Sequence, residues 1–366
     1  MKWIKKIFKK NKRDLNAPHE SDNSEVLDDQ SFDSISSNST VVNEPITKTA
    51  APLKNKTDAL VFDSKRRIFV IKKRLQTVAL YDPVAHLIRI KYHDGTEQRI
   101  PCATTLSERS LPLAGYWHQP EHCDVGVYCS VQGAFFLNHN KASKQQIIKS
   151  RIFDTDRTMM PVVGDWQGDG IQSIGLYDTE TATFLIKSQV SEDKNDVVFS
   201  FGSNLHASIP LTGDWNGDGK DSVGLYLPES GVFFLHNALE ECLSADMNFH
   251  FGPPNSGMLP LVGDWDGDGL DSIGLYSPEQ GLFYLHNKNE GADKIDHTFH
   301  FGPAQPGLKP LIGDWNGMKK TSIGVFDPVS ATCYLTNALS GGHADLVLSF
   351  NGASPSSIPF VVSYLI

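Results

Sequence analysis

A unit of about 50 residues is written five times along this chain, and that repetition limits the fold more than any single residue does. The copies are variants of Pro-Leu-Val-Gly-Asp-Trp, a loop rich in glycine and aspartate, Ser-Ile-Gly-Leu-Tyr, and an aromatic stretch ending Leu-x-Asn. The clearest copy is Pro260–Asn287, with close partners at Pro210–Asn237 and Pro161–Lys187. Pro112–Asn138 and Pro310–Asn337 are degenerate copies. The leading prolines Pro112, Pro161, Pro210, Pro260 and Pro310 follow one another at 49, 49, 50 and 50 residues.

Within a unit the apolar period is 2, broken at Gly, Pro and Asn, so the unit reads as strands. In the clearest copy these are Leu259–Trp265, Asp271–Tyr276, Leu282–His286 and His297–Phe301. Four strands in some 50 residues is the size of a propeller blade. Ser357–Tyr364 restates only the first strand of the unit. A lone first strand makes sense if it completes a blade begun upstream and removes a sheet edge. Thr77–Tyr81, Leu87–Tyr92 and Glu97–Cys102 supply its partners, with Asp94-Gly95 as a hairpin turn. The expected fold is therefore all-β, a β-propeller of four-stranded blades closed by the C-terminal strand. Five units and the composite make six blades; a further hairpin at Ala59–Lys73 leaves seven open.

Charge divides the rest of the chain. The formal net charge is -10, yet Met1–Arg13 carries seven Lys/Arg and no acid. On a helix, Trp3, Ile4, Ile7 and Phe8 share one face and lysines take the others, the pattern of a segment lying on an anionic membrane surface. Each lysine near such a surface contributes on the order of 1 kcal/mol; the alternative is a solvated basic tail. Residues 14–58 are acidic, polar and poor in large apolar groups, which reads as a disordered linker. The propeller takes 59–366. The N-terminus lacks the apolar core of a secretory signal, and no run approaches the roughly 20 apolar residues of a membrane span. These features point to a cytoplasmic or membrane-peripheral protein, with export by a non-standard route as the alternative. Five cysteines at unmatched repeat positions agree with a reducing compartment.

The chemistry sits in the loops after the first strand of each unit. Asp214-Trp-Asn-Gly-Asp-Gly-Lys-Asp-Ser222 and Asp264-Trp-Asp-Gly-Asp-Gly-Leu-Asp-Ser272 fit the start of a calcium loop, with oxygen donors at positions 1, 3 and 5 and a glycine at 6. Leu225 and Leu275 stand where a helix-loop-helix sensor needs a bidentate Glu, and strands flank the loop, so this is not an EF-hand. At these residues, over about Leu111–Tyr364, the chain resembles the FG-GAP/VCBS-type repeats of integrin-like β-propellers. The resemblance implies calcium as cofactor at two to three sites. It implies Asp214, Asn216, Asp218 and the Lys220 carbonyl as ligands in one loop, and Asp264, Asp266, Asp268 and the Leu270 carbonyl in the next. Ser222 and Ser272 stand at position 9, where that family more often has Asp. In the third loop Gln167 replaces the position-3 acid, leaving Asp165 and Asp169 as a weaker site. Asp314–Lys320 gains two lysines, and Tyr116–Glu121 has lost the motif. The competing reading of all these runs is tight turns held by side-chain-to-backbone bonds.

The repeated Trp117, Trp166, Trp215, Trp265 and Trp315, with Tyr177, Tyr226 and Tyr276, read as shared core contacts rather than a sugar-stacking platform. His236 and His286, one per blade, read as satisfied polar groups. His118, His122 and Cys123, beside Glu121 and Asp124, form one irregular patch that could meet a transition metal, without an established ligand spacing. No nucleophile elbow, P-loop or dinucleotide fingerprint is present. The sequence thus predicts a monomeric, non-enzymatic, calcium-stabilised scaffold for a protein or glycan ligand, without a nucleic-acid partner. The alternatives are a glycan-active hydrolase or lyase working at the central channel, and a secreted or surface adhesin.

Overall fold

The computed structural model describes residues 58–63, 68–139, 144–149, 159–190, 196–202, 207–241, 244–291, 295–303 and 305–365. The basic segment with Trp3, Ile4, Ile7 and Phe8, and residues 14–57 of the linker, lie outside them. No described residue is helical.

The strands are β1 (Asp58–Asp63), β2 (Ile68–Asp82), β3 (Leu87–Lys91) and β4 (Glu97–Pro101), then five groups of four. The first blade is β5 (Leu111–Gly115), β6 (Asp124–Cys129), β7 (Ala134–His139) and β8 (Lys144–Lys149). The second is β9 (Met159–Gly164), β10 (Ser173–Asp178), β11 (Thr183–Lys187) and β12 (Asp196–Ser200). The third is β13 (Ile209–Gly213), β14 (Ser222–Leu227), β15 (Val232–His236) and β16 (Met247–His250). The fourth is β17 (Leu259–Gly263), β18 (Ser272–Ser277), β19 (Leu282–Leu285) and β20 (His297–His300). The fifth is β21 (Lys309–Gly313), β22 (Ser322–Asp327), β23 (Thr332–Thr336) and β24 (Leu346–Ser349), and β25 (Ile358–Leu365) follows alone. Each group is one antiparallel meander.

β25 pairs with β2, from Arg74↔Leu365 to Tyr81↔Ile358, and so becomes the inner strand of a sixth, closing blade with β2, β3 and β4. The inner strands β5, β9, β13, β17, β21 and β25 adjoin one another in that order, and β25 also adjoins β5, so the ring is closed. The hairpin that left seven blades open is no blade: β1 pairs only with the Ile68–Lys73 half of β2, an extension of the closing strand.

The repeated residues fit this ring. Pro210 and Pro260 lie on inner strands whose second edge faces the channel, where proline removes a donor that would have no ladder partner. Six apolar clusters fill the six blade interfaces, one each. Every repeated tryptophan is buried in one, as the sequence suggested, and so are the strand-two aromatics Tyr81, Tyr128, Tyr177, Tyr226, Tyr276 and Phe326. Trp215, Trp265 and Trp315 donate their indole N–H to the carbonyls of Val223, Ile273 and Ile323 at 3.0–3.2 Å. The glycine of each Gly-Asp-Trp is the floor under the indole: a Cβ at Gly164 would stand 2.5 Å from the Trp166 ring.

Because neighbouring strands are antiparallel, the loops from strand one to two and from three to four share one face of the disc, here the loop face. The two-to-three turns and the connections between blades share the other, the turn face.

Candidate metal centre

Each metal-type loop is wound around its first aspartate. Asp214 Oδ1 accepts the amides of Gly217 and Asp218 at 2.8 and 3.1 Å, and Oδ2 accepts that of Gly219 at 2.8 Å. Asp264 repeats this with Gly267, Asp268 and Gly269, and Asp165 with Gly168, Asp169 and Gly170. The glycines at positions 4 and 6, such as Gly267 and Gly269 (φ 85° and 93°), take the left-handed backbone that lets three consecutive amides face one carboxylate. Asp314, in the loop that gained lysines, still accepts from Met318 and Lys319 at 3.0 and 2.9 Å, with Lys319 forced to φ 62°. The first aspartate therefore serves the turn whether or not the other donors survive.

The loops differ in what gathers next to that aspartate. Asp264, Asp266 and Asp268 bring one carboxylate oxygen each within 4.8 Å of the others, the one such group of His, Cys, Asp or Glu side chains among the described residues. Burial pushes the Asp264 carboxyl above its ordinary range, against the pull of the Gly269 and Gly267 amides, and the Asp268 and Asp266 charges add to the rise. Three converging oxygens in a mutually repelling set suit a hard divalent cation. In the third blade Asn216 replaces one acid, and its amide donates to Asp218 Oδ2 at 3.2 Å. The second-blade loop keeps Asp165 and Asp169, with Gln167 exposed between them. Ser222 and Ser272 are buried, and their hydroxyls donate to the carbonyls of Gly213 and Gly263.

The residue just before those serines, at position 8, makes a contact that a linear sequence does not display. Asp271 Oδ2 accepts the N–H of Asp214 at 3.0 Å, and the Asp271 N–H returns a bond to the Asp214 carbonyl at 2.9 Å. Asp221 holds Asp165 in the same two-way clamp, at 2.7 and 2.9 Å. Thr321 holds Asp264, Gln76 holds Asp314, and Gln172 holds Tyr116. At the closing interface the thiol of Cys123 stands in this place and meets the Ser363 amide. Thus position 8 of every blade caps position 1 of the blade before it.

This accounts for part of the irregular patch. Burial pushes the Cys123 thiol up to about 11, which leaves it a poor metal ligand. His118 Nδ1 faces the buried Asp124 at 3.4 Å. Neither joins a metal-holding group among the described residues. Nearby, Arg74 lies 4.3 Å above the Tyr116 ring and donates to the Pro120 carbonyl. His236 and His286 bond Asp246 and Asp296 at 2.9 and 2.7 Å and stack on Phe201 and Phe251, so they secure strand-three ends. The Asn287 amide and the His286 bond hold Asp296 below the usual carboxylate range against some burial.

On the turn face the six copies divide cleanly. Three residues beyond the strand-two aromatic stand Val84, Val131, Glu180, Glu229, Glu279 and Val329. The valines are 63%, 72% and 87% exposed and lie on three consecutive blades, the fifth, closing and first. The exposed glutamates lie on the second, third and fourth, the blades with acidic loops on the opposite face.

No protein-family model matches the chain, and no curated protein does. Among solved structures it is similar to an Agrocybe aegerita lectin recognising non-reducing terminal N-acetylglucosamine (10% identity, TM-score 0.46, 79% of this chain and 85% of that one). It is also similar to virginiamycin B lyase from Staphylococcus aureus with quinupristin (9%, 0.44, 86% and 98%). A third is BBS1N in complex with ARL6DN (7%, 0.45, 85% and 92%). A lectin, a lyase and a complex-forming domain at such distance assign neither ligand nor reaction to this chain.

Proposed function

We propose that the protein is a non-enzymatic binding scaffold of the FG-GAP/VCBS type, stiffened by calcium in its second to fourth blades, which receives a protein ligand on its turn face. The observation that carries the binding reading is the division of the turn tips. Single exposed apolar residues are ordinary, but three aliphatic tips recurring at one equivalent position on consecutive blades mark out one arc of the face. With three glutamates completing the circle, the matching ligand offers apolar groups to one arc and cations to the other, which suits a protein surface better than a neutral glycan. Calcium would be held by Asp264, Asp266, Asp268 and the Leu270 carbonyl, by the corresponding Asp214 set, and more weakly by Asp165 and Asp169. It would neutralise the gathered carboxylates; the chain's own part is to hold the donors in place.

Two measurements test the two halves separately. Calcium should raise the melting temperature over a chelator control, with Asp264→Ala removing much of the rise; no rise in the intact protein sinks the metal half. For the binding half, a photo-crosslinking residue at position 329 or 279 should give discrete adducts that vanish with Val84→Asp and Val131→Asp. A probe at position 318 on the loop face should not give them. Adducts indifferent to the tip substitutions, or glycan-array binding equally indifferent to them, overturn it.

A further inference from the structure

The clamp at position 8 ties each metal-type loop to the next. We infer that Asp271 and Asp221 are positioning residues for the first ligand of the preceding loop, so that cation binding in the fourth blade favours binding in the third, and the third in the second. The inference rests on the calcium reading above.

The path is short and made of named bonds. The Leu270 carbonyl belongs to the fourth-blade donor set, and Asp271 is the next residue. Asp271 holds both the N–H and the carbonyl of Asp214, whose carboxylate organises the third-blade loop through the amides of Gly217, Asp218 and Gly219. Lys220 ends that donor set, and Asp221 follows it to hold Asp165 in the same way. The loops also touch: a Cβ on Gly217 would stand 3.2 Å from Leu270 Cδ2, and one on Gly168 3.0 Å from the Gly219 carbonyl oxygen. A cation that fixes Leu270 therefore fixes Asp271, which sets where Asp214 stands. Ordering made by the first cation need not be made again by the second, and that is positive coupling. The end of the series differs chemically. Asp264 is capped by the neutral Thr321, whereas Asp214 and Asp165 each have a carboxylate behind them. The weaker loops thus have a carboxylate acceptor on the N–H of their first aspartate, where the fourth-blade loop has a hydroxyl.

The test is calcium titration of the full chain by amide hydrogen exchange, following peptides that cover 214–222 and 264–272. Asp266→Asn with Asp268→Asn disables the fourth-blade loop while sparing its turn, and should move the calcium midpoint of 214–222 upward by about five-fold or more. Asp271→Ala should do the same, and by reciprocity should move the midpoint of 264–272 upward by no more than the same factor. Asp271→Thr, the acceptor already used at the next interface, should restore most of the loss, which a loss of general stability would not. A midpoint of 214–222 unchanged by both the double variant and Asp271→Ala overturns the coupling while leaving calcium binding intact. Calcium protection of neither peptide in the intact chain overturns the calcium reading and the coupling with it.

Discussion

The second to fourth blades and the fifth, closing and first blades share one strand pattern but are fastened differently. The former arc is built from near-identical copies, with acidic loops on one face and glutamates on the other. The latter contains the closure, where strands far apart in sequence meet, and its loops carry no acid at positions 3 and 5. There the fastening comes from side chains that no other blade carries. Buried Arg89 bonds Glu97 at 3.0 and 2.9 Å, donates to the Asn351 carbonyl and covers Phe350. Arg74 rests on Tyr116, and Tyr364 packs on Tyr92 and bonds His93. A repeat can be stiffened by an ion at the same place in each copy; a seam joined once needs contacts made once.

Core substitutions should not tell the arcs apart. Trp265→Ala and Trp315→Ala, in matching interfaces of either arc, should each cost about 3–5 kcal/mol by chemical denaturation, with or without calcium. A much smaller cost at Trp315 would mean that the seam, not the core, holds the fifth blade. Arg89→Ala should cost roughly 3 kcal/mol, since Glu97 is left with the exposed Arg99 and a Lys91 ammonium 3.9 Å away, and the loss should be the same in chelator. Its pH dependence has a definite sign. Bonds from Arg89 hold Glu97 below its ordinary range, opposed by partial burial. The stabilisation is therefore complete above the unfolded carboxylate pKa and fades as pH falls through the lower folded value. Arg89→Ala should thus flatten the acid limb of the stability curve. The smallest effect should be opposite in sign between conditions. Asp264 is raised chiefly by burial, with a smaller contribution from the Asp268 and Asp266 charges, so Asp266→Asn relieves part of the repulsion and raises stability in chelator by about a few tenths of a kcal/mol. The same change should reduce the calcium-induced rise in melting temperature.

The strand pattern was legible because each strand carries its own signal: period 2, glycine and proline breaks, and a tryptophan in five of the six interfaces. Blade boundaries came within a residue or two, as at Leu282–Leu285 and His297–His300. The hairpin at Ala59–Lys73 was ambiguous, because local alternation cannot say whether a strand pair begins a new blade or lengthens an old strand. The first aspartate of each loop was legible as a turn-former and as a ligand, and its bonds show why Asp314 persists without the other acids. The clamps were not legible. Gln172, Asp221, Asp271, Thr321, Gln76 and Cys123 share only the ability to accept a hydrogen bond, and each acts on a residue in another blade. Asp221 and Asp271 stand one place before the ninth position of the loop motif, and in the fold they face the neighbour's backbone.

The placement of β25 at the centre of the closing blade bears on how the molecule is made. Four-stranded meanders can form locally as they leave the ribosome, but the Arg74–Tyr81 edge waits for a partner synthesised after all of them. The entropic cost of that meeting grows only slowly with the length between, about 0.6 kcal/mol per doubling. Time is the larger matter, because until β25 arrives an apolar strand edge with Val78, Leu80 and Tyr81 stands open to any other chain. Refolding yield should therefore fall with protein concentration well before the folded ring itself shows any tendency to associate.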